Sequence, residues 1–244
     1  MIDHQQCVAA IRRDGELLAR AAETAGDDAP MPSCPDWTIA DLLSHIGRIH
    51  RYVTAIVTAR PNPPAEHWSR MTSPPVGERL AWFRAGYPAL ADALGAADPD
   101  DAVWTWATDP RVRFWSRRMA HEIAVHRWDA QRATGAPPDP IQTEFAADAI
   151  QEAFDILPAR KLGDRLTGTG ETIHLHCTDT DGEWLLRLTP GGLDVTREHA
   201  KGDVAARGAA SDLLLLVWGR IEPDAVEVFG DASLLTRWQE LARF

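Results

Sequence analysis

The chain is nearly devoid of lysine: of its 25 basic residues only Lys161 and Lys201 are lysines, against 36 acidic residues and a formal charge of −11. This balance excludes the basic footprint that a nucleic-acid groove or an anionic membrane surface selects. An anionic substrate would have to be met by individual arginines. Cysteine is scarce as well, with Cys7, Cys34 and Cys177 odd in number, far apart and without a CxxC pair. No disulfide framework follows from them, which fits a reducing cytoplasm. There is no run of about 18 apolar residues, no basic-then-apolar leader pattern, no internal repeat and no low-complexity tract. The expectation is a soluble, cytoplasmic protein, monomer or homodimer, with no nucleic-acid or membrane partner.

What is present is a core. With 244 residues, 45% of them hydrophobic, the chain can bury one large domain or two modest ones. Residues 5–25 read as a helix with Val8, Ile11, Leu17 and Leu18 on one side. After the loop imposed by Pro30, Pro32 and Pro35, Thr38 to Asp41 form a capping box. The helix it starts runs to about Ala59 with an apolar stripe of Leu42, Ile46, Ile49, Val53 and Ile56. A proline-rich crossover (Pro61, Pro63, Pro64, Pro74, Pro75) precedes a third helix over Val76–Leu94, and a fourth ends near Gly135. A further helix, residues 142–157, is expected to close the helical unit.

Beyond Gly163 the period changes from helix to strand. Thr172–Thr178 alternates, with Ile173, Leu175 and Cys177 on one face and His174 and His176 on a solvated outer one. Asp181-Gly182 and Pro190-Gly-Gly192 are turn signals that separate strands over 183–189 and 193–199. A strand over 203–207, a helix over 212–218 capped by Ser211, a strand over 226–229 and a last helix from Asp231 complete the pattern. The expected fold is a helical bundle over 1–164 followed by a small α+β domain over 165–244 with an antiparallel-rich sheet.

The chemistry concentrates in Met119-Ala-His-Glu-Ile-Ala-Val-His-Arg-Trp-Asp129. Glu122 and His126 are four apart and project about 40° from one another on a helix, with Asp129 further along the same stripe. Trp115, Met119 and Ala133 mark that stripe as the buried side. A carboxylate and an imidazole aimed inward are costly unless they are paired or bind a cation. As oxygen and nitrogen donors they can supply two corners of a divalent-metal site. The plainer alternative pairs Glu122 with Arg118 and leaves His126 a satisfied interior histidine. A third ligand would come from the capped helix, where His45 and His50 lie about 80° and 60° from the centre of its stripe, and periodicity does not choose between them.

Ser33-Cys-Pro-Asp-Trp-Thr-Ile-Ala-Asp-Leu-Leu-Ser-His45, followed by the Met119–Asp129 segment, resembles the mycothiol-dependent maleylpyruvate isomerase family. The likeness extends to Gly208-Ala-Ala-Ser-Asp-Leu-Leu-Leu-Leu-Val-Trp-Gly-Arg220. It implies a DinB-like four-helix bundle and a C-terminal domain similar to sterol-carrier α+β folds. It also implies a divalent metal, usually zinc, on His45, Glu122 and His126, with His50 a flanking residue or a substitute. Mycothiol, a small thiol, would be the cosubstrate for isomerising, or transferring sulfur to, a small electrophile that can be anionic.

Other residues carry weaker expectations. Asp129 either fixes the tautomer of His126 or caps an arginine. Arg220, ending the matched C-terminal helix, is the first choice for stabilising a carboxylate or enolate; Arg84 and Arg207 are secondary choices for binding. Trp115 is the tryptophan expected to line a pocket. Cys34 has no base that the sequence can place beside it, and His121 is expected at the surface. The competing class is a non-catalytic small-ligand binder with a structural or vestigial metal site.

Overall fold

Two capping boxes start the first two helices. Asp3 accepts from the Gln6 amide at 2.8 Å while Gln6 Oε1 accepts from the Asp3 amide at 2.8 Å, opening α1 (His4–Ala25). Thr38 Oγ1 accepts from the Asp41 amide at 3.3 Å while Asp41 Oδ2 accepts from the Thr38 amide at 3.1 Å, opening α2 (Ile39–Ala59). Each exchange satisfies amides that have no intrahelical acceptor. α3 (Arg79–Ala96) follows a single 3₁₀ turn at Val76–Glu78, so the helix begins three residues later than the periodicity indicates. α4 spans Val112–Ala133. The computed structural model describes residues 2–60, 66–156 and 165–241; the expected crossover prolines Pro61, Pro63 and Pro64 lie outside these.

These four helices form the bundle, with α1 packed on α3 and α4, and α2 on α3 and α4. Ile11 and Leu18 of α1, Leu42, Ile46, Val53 and Ile56 of α2, Phe83, Leu90 and Leu94 of α3, and Ile123 of α4 are fully buried. The α2 stripe is therefore the one its spacing predicts. α4 is unusual in burying Arg118, His121, Glu122, His126, Arg127 and Asp129 alongside its apolar residues. His121, expected at the surface, is 1% exposed. α4 is enclosed on more sides than a single stripe would indicate.

The bundle unit spans Ile2–Asp139, and a second compact unit begins at Pro140. The change of period near residue 165 predicts a later division, with the intervening helix in the bundle. In the structure α5 (Thr143–Ile156) packs on α6 (Ala210–Val217) and belongs to the second unit. Ser211 does not cap α6; its Oγ accepts from the Ile141 amide at 2.9 Å, tying the segment before α5 to α6.

The second unit is built on β1 (Thr172–Cys177), β2 (Glu183–Thr189), β3 (Gly192–Thr196), β4 (Val204–Gly208) and β5 (Glu227–Gly230), with α7 (Ser233–Leu241) last. Their order across the sheet is β3-β2-β1-β4-β5. β1 and β4 are parallel and the other neighbours antiparallel. One face, with Ile173, Leu175, Trp184, Leu186, Val204 and Ala206, is buried, and α6 packs against β1 and β4. The opposite face is not simply solvated as expected, because His174 on it is only 5% exposed.

Candidate metal centre

Residues 34 to 41 bring α2 into the bundle so that His45, in its second turn, meets α4. His45 Nε2 lies 3.4 Å from Glu122 Oε1, and His126 Nε2 lies 3.4 Å from the same oxygen. One nitrogen or oxygen from each of the three side chains falls within 4.8 Å of the others. The spacing of Glu122 and His126 is a one-turn i, i+4 pair, as the sequence requires. Between the two histidines of α2, packing selects His45. His50 is fully buried against Phe83, its ring nitrogens have no hydrogen-bond partner, and burial with the nearby Arg51 drives its pKa down to about 3.

The carboxylate of Glu122 serves both readings drawn from the sequence. Its Oε2 pairs with the guanidinium of Arg118 one turn back, leaving Oε1 to the two imidazoles. Asp129 is fully buried and lies with Oδ2 3.0 Å from His126 Nδ1. That contact fixes the ring so that Nε2 points at Glu122. Ser33 Oγ donates to Asp129 Oδ1 at 2.5 Å, and Cys34 Sγ lies 3.8 Å from Oδ2. The base beside Cys34 that sequence could not place is thus the same carboxylate that orients His126.

The residues suit a divalent ion on two counts. A separation of 3.4 Å is long for an N–H···O hydrogen bond, but it is the edge expected when two donors sit about 2.1 Å from a tetrahedral ion. Two imidazoles and a carboxylate are also the donor types zinc accepts.

The other expected residues lie elsewhere. Trp115 is buried and donates from Nε1 to the Trp104 carbonyl at 2.8 Å, in a cluster with Trp104, Phe114 and Tyr52. The tryptophans against His45 are Trp37 and Trp68, with ring centroids 5.0 and 5.1 Å away. Sequence reasoning passed over both. Trp37 stands inside the matched loop segment, whereas Trp68 follows the proline crossover with no periodic signal. Arg84 pairs with Glu23 at 2.6 Å and Arg207 with Glu227 at 2.7 Å, both at the surface. Arg220 donates to the Trp218 carbonyl at 3.0 Å and lies over that ring.

Comparison with known proteins agrees with this architecture. Residues 8–131 match the mycothiol maleylpyruvate isomerase N-terminal domain, and residues 144–237 match the C-terminal domain of the same family. The chain is similar to the crystal structure of a mycothiol-dependent maleylpyruvate isomerase, with a TM-score of 0.57, 14% identity and 93% of each chain covered. A second structure of that enzyme, carrying a histidine-to-alanine substitution, gives the same values: TM-score 0.57, 14% identity and 93% coverage of both chains. At that identity the likeness establishes the fold. No curated protein matches the chain. A bundle and an α+β unit in this order, matched in turn by both domains of one family, place the chain in the mycothiol-dependent maleylpyruvate isomerase family.

Proposed function

We propose that the chain is a thiol-dependent metalloenzyme in which His45, Glu122 and His126 hold one divalent cation, zinc first among them, and mycothiol is the sulfur cosubstrate. The observation that carries this reading is the single oxygen, Glu122 Oε1, standing 3.4 Å from the Nε2 atoms of both histidines. A dication held by these residues would lower the pKa of a thiol and so supply thiolate at neutral pH. The protein's own groups prepare the site. Asp129 holds His126 in one orientation, Arg118 pairs with the second carboxylate oxygen of Glu122, and Trp37 and Trp68 wall His45 with apolar surface.

The thiolate adds to the cis double bond of a small unsaturated acid, the resulting single bond rotates, and elimination returns the thiol with the trans product. Attack on another electrophile with release of the thioether would be S-transfer, and both outcomes use the same residues. Of the three arginines considered for an anionic substrate, Arg84 and Arg207 are each held by a surface glutamate and Arg220 is held on Trp218.

Turnover of a panel of unsaturated acids and other electrophiles by zinc-loaded protein, with and without mycothiol, tests the proposal. Activity requiring both zinc and thiol is expected. His126→Ala should lower it at pH 7 by at least about thirtyfold, because an unassisted thiol of pKa about 8.5 is only about 3% ionised. Unchanged turnover in that variant, or full activity without thiol, would overturn it. Ligand binding with no turnover would leave the binding-protein alternative.

A further inference from the structure

A second group of donors lies in the α+β unit. His174 and His176 share one face of β1, and Glu183 stands opposite His176 in the β1–β2 register. His199 follows β3. His176 Nδ1 and His199 Nδ1 both contact Glu183 Oε1, the latter at 2.9 Å, and the three imidazole centroids are 5.5 to 6.1 Å apart. One donor atom from each of the four residues falls within 4.8 Å of the others.

Topology explains the convergence. β3 is the sheet's edge strand while β4 lies beyond β2 and β1, so the connection 197–203 must cross both strands. It passes close over His174: a Cβ on Gly202 would lie 3.0 Å from the His174 amide nitrogen and 3.3 Å from its Cβ. Beneath this crossing His174 is 5% exposed, and its Nε2 is buried with no hydrogen-bond partner. An unpartnered buried ring nitrogen is costly unless something binds it. Arg207, opposite His176 in the β1–β4 register, is turned to Glu227 and does not neutralise Glu183.

We infer that His174, His176, Glu183 and His199 form a second divalent-metal site, separate from the bundle centre, that fastens the β3–β4 crossing to the sheet. Three imidazoles and one carboxylate select a transition ion of the zinc type over calcium or magnesium, which prefer all-oxygen ligands. Four protein donors leave no open position, so the role is structural rather than catalytic. His199 is the exposed partner: its side chain is 79% exposed, and binding would draw it down.

Zinc titration of the metal-stripped full chain, read by calorimetry and by metal content after dialysis, provides the test. The wild type should retain two equivalents. Paired His45→Ala and His126→Ala substitutions should leave one, and His199→Gln with Glu183→Gln should also leave one, removing the other site. Failure of the bundle centre alone would show as one equivalent in the wild type, lost only with the His199 and Glu183 substitutions. Trypsin gives an independent reading, because Arg197 and Lys201 flank His199. Zinc should suppress cleavage at both in the wild type and not in the His199→Gln variant. If the His199 and Glu183 substitutions leave zinc stoichiometry and proteolysis unchanged, the cluster is a hydrogen-bonded network only and the inference fails.

Discussion

At the scale of single residues, the centre of the bundle depends on which atom each side chain is able to offer. Asp129 Oδ2 faces His126 Nδ1, while Oδ1 accepts from Ser33. Replacing Asp129 with Asn removes the charge that holds the ring. Zinc affinity at the bundle centre should then fall by about 10–100-fold in titrations, and ¹⁵N spectra should show His126 losing its fixed Nδ1–H tautomer. An unchanged tautomer with weaker binding would instead point to damaged packing. Spacing made Glu122, His126 and Asp129 readable from sequence, because one helix fixes their relative directions. It did not reveal that Ser33 and Cys34, about 95 residues away, converge on the same carboxylate, since loop contacts have no period. Nor did it reveal that His174 is buried. Alternation separates the two faces of a strand without saying what crosses over either one.

At the scale of elements, the helices and strands were largely readable, because caps, prolines and turn glycines punctuate them. Their partners were not. An apolar stripe on α5 shows that one face must be buried but does not name the surface that buries it, and α6 supplies that surface here. Helix contacts also depend on residues that look unremarkable in a sequence. Gly15 of α1 lies under the ring of Tyr87 on α3, where an added Cβ would come within 2.5 Å of the ring. Tyr87 Oη also donates to Glu16 Oε2 at 2.9 Å, so the ring cannot swing aside without losing that bond. Gly15→Ala should therefore destabilise the bundle by about 1–3 kcal/mol in denaturant unfolding, despite alanine's better helix propensity of about 1 kcal/mol. A stabilised variant would show that the α1–α3 contact is slack.

At the scale of the whole molecule, acid should be the condition that exposes buried imidazole. His50 is held neutral with its pKa lowered from 6.5 to about 3, chiefly by burial, with Arg51, His126 and His45 adding repulsion. A depressed folded-state value means that the unfolded chain binds the proton first. The contribution is thus intact above pH 6.5 and is lost as pH falls from there toward 3. Within that window stability should drop by up to about 1.4 kcal/mol per pH unit from this group alone. His50→Leu should flatten the profile by that amount in melts between pH 6.5 and 4, whereas parallel wild-type and variant profiles would rule the effect out.

The two indole rings around His45 have a spectroscopic consequence. Trp37 and Trp68 stand about 5 Å from that imidazole, so a change at His45 alters the surroundings of two indoles. The protein carries its own optical reporter for whatever docks beside them, and it needs no added dye.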